Sequence, residues 1–379
     1  MSSRNGRKPG IIWLNTLVFS ITFAVAIIAV PGYGLTVGFS WPLVLVALVA
    51  TAYCGMSITA GYHRLWSHRS YQSHPVIEFI FAIGGAFAVQ NSILHWCSDH
   101  RVHHKYVDDN ERDPYSAKRG FWFSHIGWML REYHVNQYDN YSNALDLQKN
   151  PIVMWQHRHY LSLVSLTNFG IPLLVGFALG DIWGSLLLVG VLRLVVSHHV
   201  TFFINSLAHL WGRQPYSDQN TAKDNALVAL LTYGEGYHNY HHAFQFDYRN
   251  AIKWWQFDPT KWMIKGLSLV GLAKNLKTCP DERIRQRIAQ TQLNQTRLKL
   301  LQCKLPNREE MLHRLHQEYD QLILQMQAFY QVKKDWLALK ADHLAENVEK
   351  SSMHQQYKEL KQRFSEQQKY WQSLMLQYA

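Results

Sequence analysis

Only four cysteines occur in 379 residues, Cys54, Cys97, Cys279 and Cys303, and no two form a CxxC pair. That excludes a disulfide-stapled scaffold and argues against zinc or iron–sulfur held by thiolates. Charge is scarce as well: Asp, Glu, Lys and Arg make up 17% of the chain, against about a quarter in ordinary soluble domains. The formal net charge is +11 with histidine neutral. The basic residues are dispersed around apolar runs, so anionic lipid headgroups explain the excess better than nucleic acid, and no nucleic-acid partner is expected. No small-residue cleavage pattern follows the first apolar run, so no cleavable signal is expected.

What is present is long apolar runs. Ile11–Val30 carries no charge, and a helix of that length covers roughly 30 Å, the hydrocarbon thickness of a bilayer. Spans are expected at about 11–30, 39–61, 161–179 and 184–206. Pro31, Gly32 and Gly34 are expected to end the first, and Pro172 to kink the third. Arg4, Arg7 and Lys8 precede the first span, while the loop at 31–38 has no Lys or Arg. By the positive-inside rule the leader and the histidine-bearing segments face the cytoplasm. A fifth apolar stretch, Val76–Leu94, carries Glu78, Gln90 and Asn91. It is expected to be buried in protein or to lie along the interface, because a single crossing would separate the histidine clusters.

Those clusters are His63 and His68; His100, His103 and His104; and His238, His241 and His242, with His209 standing four residues after Asn205. The i, i+3, i+4 spacing puts each triplet on one helix face. Asn205 and His209 share a face in the same way. His63 and His68 are about 140° apart on an α-helix, so they are expected to serve different metals, or the helix to end between them. Imidazole suits iron, copper and zinc. Nine histidines and Asn205 are too many for one ion and about right for two. Zinc does no redox chemistry, and among the clustered histidines only His238, with Glu235, matches the ExxH motif of carboxylate di-iron bundles. A pair of iron ions that activate oxygen against a hydrocarbon chain is therefore expected. His74, His95, His125, His134, His157, His159, His198 and His199 lack cluster spacing and are read as packing residues.

The motifs read His63-Arg64-Leu65-Trp66-Ser67-His68, His100-Arg101-Val102-His103-His104 and His238-Asn239-Tyr240-His241-His242. Trp96-Cys97-Ser98-Asp99 precedes the second, Gly234-Glu235-Gly236-Tyr237 precedes the third, and Asn205-Ser206-Leu207-Ala208-His209 lies between. Over residues 11–275 or so the chain resembles the membrane fatty acyl-CoA delta-9 desaturases, the stearoyl-CoA desaturase family, and looks like a bacterial member. The resemblance implies an all-α integral membrane fold of four transmembrane helices under a cytosolic histidine-rich cap. It implies two irons held by His63, His68, His100, His103, His104, His209, His238, His241 and His242, with Asn205 acting through a water. It implies oxygen-dependent removal of two hydrogens from a fatty acyl-CoA, usually at carbons nine and ten. Such C–H bonds offer no acidic proton, so the metal centre must carry the chemistry, and no catalytic Ser, Cys or Lys is expected.

Asp99, Asp113 and Glu235 are candidates to orient imidazole tautomers. Asn91, Trp96, Asp99, Thr201 and Phe202 fall where the family binds its substrate. Arg193, inside the fourth span, is expected to pair with Glu78. An Arg that the family leads one to expect before the second motif is Ser98, and an expected basic pair reads Arg131-Glu132-Tyr133. Lys118, Arg119 and Arg131 could supply the phosphate contacts instead. An acyl-lipid or carrier-protein substrate, a sibling di-iron hydroxylase, and a polyhistidine metal transporter or sensor are the competing readings.

No haem-binding HPGG, flavin fingerprint or Cys₄ ferredoxin pattern occurs, so electrons are expected from a separate ferredoxin- or cytochrome b5-like donor. A bacterial inner membrane is favoured. The desaturase domain is expected to cover 1–279 and a helical, coiled-coil-like tail 280–379. In the tail Leu312, Leu315, Tyr319, Leu322, Met326 and Phe329 follow heptad spacing, and Tyr357, Leu360, Phe364, Trp371, Leu374 and Tyr378 resume it. Pro306 and Asn307 are expected to separate two helices, with a weaker break near Ser351–Ser352. Homo-oligomerisation or donor docking are the roles considered for this tail, beside a merely accessory bundle.

Overall fold

The structure, a computed structural model, describes residues 9–133, 140–341 and 347–378. Arg4, Arg7, Lys8 and His134 lie outside the described residues. The chain divides into two units, one formed by 1–213 with 220–278, the other by 214–219 with 279–379.

In the first unit four helices are long and apolar enough to cross a bilayer: Trp13–Thr36, Trp41–Ser67, Tyr160–Leu179 and Ile182–Leu210. They expose rows of Leu, Ile and Phe, such as Leu14, Ile28, Leu45, Leu174 and Phe177, as lipid-facing helices do. The first span does not end at Pro31. The helix widens to π-type turns over Val25–Ala29, and Pro31 then starts the segment Val30–Thr36, where a missing N–H costs little. Pro172 is accommodated likewise behind wide turns at Leu166–Gly170, so the third span runs unbroken.

The second span carries the first histidine motif. Its last eleven residues, Ser57–Ser67, are π-helical and all buried. The fifth apolar stretch becomes the helix Pro75–Ala88, buried in protein along Phe81, Ala82 and Gly84–Ala88. After a break the chain turns by 82° into Ile93–Tyr106, which carries the second motif. His74 Nδ1 and Ser92 Oγ cap these two helices by accepting from Val76 N and His95 N. The third motif occupies the short helix His238–Ala243, whose first turn is held from a distance: Asp224 Oδ1 accepts from the backbone N of Asn239 and Tyr240. A single two-residue antiparallel pairing, Gln72–Ser73 with Ala273–Lys274, is the only named sheet among the described residues.

In the second unit three helices, Asp281–Gln302, Arg308–Ala341 and Asn347–Gln377, pack on one another. Leu315, Leu322, Met326 and Phe329 are buried with Phe364, Trp371, Leu374 and Tyr378. Trp336 meets His354, Phe329 meets Phe364 and Glu318 meets Gln367. Residue numbers rise on one helix as they fall on the other, so the pair is antiparallel. The last helix runs through Ser351 and Ser352 without interruption, because two exposed serines remove no backbone donor. The break expected there is absent.

Candidate metal centre and adjoining cavity

Nine imidazoles converge into two groups. His63, His68, His100, His104 and His241 form one, and His103, His209, His238 and His242 the other; within each, one nitrogen per residue lies within 4.8 Å of all the others. The triplets do not act as units. In each, the residues four apart stay together (His100 with His104, His238 with His242), while the remaining one, His103 or His241, goes to the other group. On a helix i and i+4 differ by about 40° and i+3 falls about 60° to the other side, so one short helix can feed two ions.

His63 and His68 both belong to the first group, so they do not serve different metals; the helix does end between them, at Ser67, with His68 as its C-cap. The 140° argument assumed an α-helix. Here His68 N donates to His63 O at 3.1 Å, the i to i+5 bond of a π-helix, and that wider turn brings residues five apart onto one side. Asn205 and His209 also depart from expectation. The fourth span's helix yields at Ser206, and His209 rides a separate turn, Leu207–Leu210.

The ring nitrogens approach one another closely. The Nε2 atoms of His63 and His241 are 3.0 Å apart, those of His68 and His100 2.9 Å, His241 and His104 3.0 Å, His238 and His209 3.1 Å, and His242 and His238 3.0 Å. Several of these rings have their proton committed at the far nitrogen. His103 Nδ1 lies 2.9 Å from Asp113 Oδ1 in a hydrogen bond, and His63 Nδ1 lies 2.9 Å from Glu235 Oε2 as an ion-pair contact without hydrogen-bond geometry. His209 Nδ1 lies 2.9 Å from Thr221 Oγ1. The Thr221 hydroxyl donates onward to Asp108 Oδ1 at 2.6 Å, so towards His209 it can only accept. His100 Nδ1 lies 3.2 Å from Tyr115 OH. With Nδ1 protonated, each Nε2 presents a lone pair, and lone pairs gathered this closely repel unless a cation sits among them. The donor set thus fits two transition-metal ions of the kind that take imidazole. Burial, aided by neighbouring imidazoles, holds His68, His100, His104, His238, His241 and His242 well below the ordinary histidine pKa. That is the neutral form a metal binds.

Two of the three proposed orienting carboxylates therefore touch an imidazole of the centre, Asp113 and Glu235. Asp99 does not: its Oδ2 lies 3.3 Å from His95 Nε2, at a half-exposed position outside both groups. Glu235 also accepts from Arg64 at 2.8 Å and from Asn250 at 2.6 Å, and Arg64 reaches Asp258. Burial would raise the Glu235 pKa, but Arg64 and then His63 hold it to about 2. Glycines flank Glu235 for space: Gly234 has φ +100°, and a Cβ on Gly236 would collide with the backbone of Ala229. The sequence reading missed Tyr115, Thr221, Asp108 and Arg64. Arg64 lay inside a quoted motif, but nothing about the other three stands out in sequence.

A cavity of about 790 Å³ adjoins the centre. His63, His100, His238 and Asn205 line it, and so do all five proposed substrate residues, Asn91, Trp96, Asp99, Thr201 and Phe202. Trp96 stacks on His100 with centroids 4.8 Å apart, and Gln90 Nε2 donates to Thr201 Oγ1 at 2.8 Å. Of the cations proposed for phosphate, Arg131 lines the cavity while Lys118 and Arg119 do not; Arg112, not singled out by sequence, does. Ser98 instead hydrogen-bonds Asn143.

Arg193 does not pair with Glu78. Its guanidinium donates to Phe87 O and Asn168 Oδ1 at 2.6 Å each, and Glu78 accepts from Asn150. His198 and His199 stay outside the centre, as expected of packing residues: His198 meets the backbone at Ala88 and Val89, and His199 pairs with His125.

Comparison with known proteins gives one consistent result. The fatty acid desaturase family model matches residues 39–270. The chain is 46% identical over 282 residues to a probable acyl-CoA desaturase of Schizosaccharomyces pombe, covering 73% of this chain and 57% of that one. It is 48% identical over 237 residues to acyl-CoA desaturase 1 of Saccharomyces cerevisiae, covering 62% and 46%. It is 36% identical over 291 residues to stearoyl-CoA desaturase 5 of Homo sapiens, covering 76% and 87%. The matched part thus spans about half the length of the two yeast relatives.

Proposed function

The chain belongs to the fatty acid desaturase family, and we propose that it is an oxygen-dependent acyl-CoA desaturase that introduces a cis double bond at delta-9 of a saturated long-chain acyl thioester. The observation that carries this reading is the single cavity bordered by Arg112 and Arg131 and by His63, His100 and His238. A molecule with an anionic head and an apolar chain can reach the imidazole groups through such a space.

Two irons bound by the nine histidines, with Asn205 reaching the second through a water, would supply the oxidising power that an unactivated C–H bond requires. The chain's own residues do the rest. Asp113, Glu235 and the Thr221–Asp108 pair keep Nδ1 protonated and Nε2 free. Trp96, Thr201 and Phe202 wall the chain and keep water out. Arg112 and Arg131 face the phosphates of the carrier in place of the Arg replaced by Ser98. Asn91 and Asp99 lie beside the carrier. Electrons arrive from a separate ferredoxin- or cytochrome b5-like protein.

The protein is an integral membrane protein with four spans. Loop charge supports a cytoplasmic catalytic face. The bacterial inner membrane stays a proposal to which the yeast and human relatives lend no support. The tail's heptad residues pack within its own antiparallel helices, which supports an accessory bundle over self-association.

The test is fatty-acid methyl-ester chromatography of a desaturase-deficient host expressing this chain or His104→Ala, with an electron donor, with and without oxygen. A new delta-9 monounsaturated acid that needs both oxygen and His104 is the expected result. A hydroxylated product would move the chain to the hydroxylase reading, and no new product from iron-loaded protein would overturn the enzyme reading.

A further inference from the structure

The helix Pro75–Ala88 ends in a turn that is hard to hold. Val89, a β-branched residue, sits at φ 51°, ψ 49°, and Asn91 has φ 77°. A left-handed conformation is strained for a β-branched residue such as Val89, less so for Asn91, and persists only where the surroundings enforce it. The turn also leaves backbone carbonyls at the helix end without intrahelical partners. Two side chains of the fourth span meet those carbonyls. Arg193 Nη1 donates to Phe87 O at 2.6 Å. His198 Nε2 lies 3.0 Å from Ala88 O and 3.1 Å from Val89 O; facing two acceptors, it must carry the proton.

Arg193 is 1% exposed and His198 4%. Among the described residues no acid lies within ion-pair distance of Arg193. Its other contacts are neutral: Val189 O, Asn168 Oδ1, the Cys54 thiol, and the Phe87 ring 3.8 Å from the guanidinium carbon. A buried charge in a span is costly, and here it is turned wholly to fixing backbone and polar side chains.

The turn so held has two products. It aims Gln90 and Asn91 into the cavity, and it sets the 82° angle at which the helix carrying His100, His103 and His104 departs. Cavity wall and metal ligands therefore share one joint. We propose that Arg193 and His198 are positioning residues that clamp the Val89–Asn91 turn and so fix which methylenes of the acyl chain stand beside the metal pair. This rests on the desaturase reading for its chemical consequence, though the clamp itself does not.

The test compares wild type, His198→Phe, His198→Gln and Arg193→Lys as full chains in detergent or nanodiscs. Hydrogen exchange over residues 87–93 reads the clamp without any activity. His198→Phe should speed exchange there roughly 10-fold, with other segments unchanged, and His198→Gln, which retains a donor, should restore most of the protection. The positional isomers of the monoene formed from a saturated C18 acyl-CoA read the consequence. Displacing the substrate by a fraction of an ångström is felt strongly in rate, so His198→Phe and Arg193→Lys should raise the share of neighbouring-position isomers roughly 10-fold while iron content holds. Unchanged exchange at 87–93 would overturn the clamp. Faster exchange with an unchanged isomer ratio would overturn its role in positioning. Faster exchange with no monoene even from wild type would leave the clamp standing and sink the desaturase reading instead.

Discussion

The first imidazole group holds five rings and the second holds four, and the two are secured differently from behind. The first takes rings from all three motifs and leans on Glu235, which Arg64 and Asn250 anchor in turn. The second takes none from the first motif. It depends on His209, on a separate turn, and is secured through Asp113 and the Thr221–Asp108 pair. An ion in the first group would meet five imidazoles and one in the second four, and Asn205 lines the cavity that adjoins both groups. An open position on a metal is where an external molecule binds, so on the two-ion reading the ion in the smaller group would be the one left with room for it.

Substitutions can break or sharpen that contrast. Loss of a partner behind a ligand costs about 10–100-fold in metal affinity or activity, so loss of a ligand should exceed roughly 100-fold. His241→Ala, whose ring sits within the crowded first group, should abolish product and release iron, as measured by product chromatography and metal analysis. Asp113→Asn should lower the second ion's affinity about 10–100-fold, measured by competition with a chelator, and leave the first ion in place. Thr221→Val is milder. It strands the Nδ1 proton of His209 and one acceptor site on Asp108, each worth about 1–3 kcal/mol when buried, and should weaken the second ion about 10-fold. Leu322→Ala in the tail should cost about 2–5 kcal/mol in the stability of its helices, followed by thermal unfolding, and change neither ion.

Much of this was legible in the sequence, for identifiable reasons. Apolar runs announce spans because the bilayer sets their length, and clustered histidines announce metal because little else justifies burying them. The heptads of the tail gave its antiparallel core. What escaped was local geometry. A π-helix cannot be told from an α-helix by spacing, so the expectation of different metals for His63 and His68 fails, while the expected helix end between them is found at Ser67. Pro31 reads as a stop, yet the wide turn before it lets the helix continue. Arg193 invited a search for an acid, but in a folded protein a row of carbonyls serves as well. Asp108 and Thr221 lie 113 residues apart, and nothing local marks either as supporting His209.

The most direct test of the two-ion account is iron content, with Mössbauer spectra, on purified wild type and Asn205→Leu side by side. The account predicts about two irons per chain in two distinct environments for wild type, and selective loss or change of one environment in the variant. A single iron environment, zinc in place of iron, or equal disturbance of both ions by Asn205→Leu would contradict it.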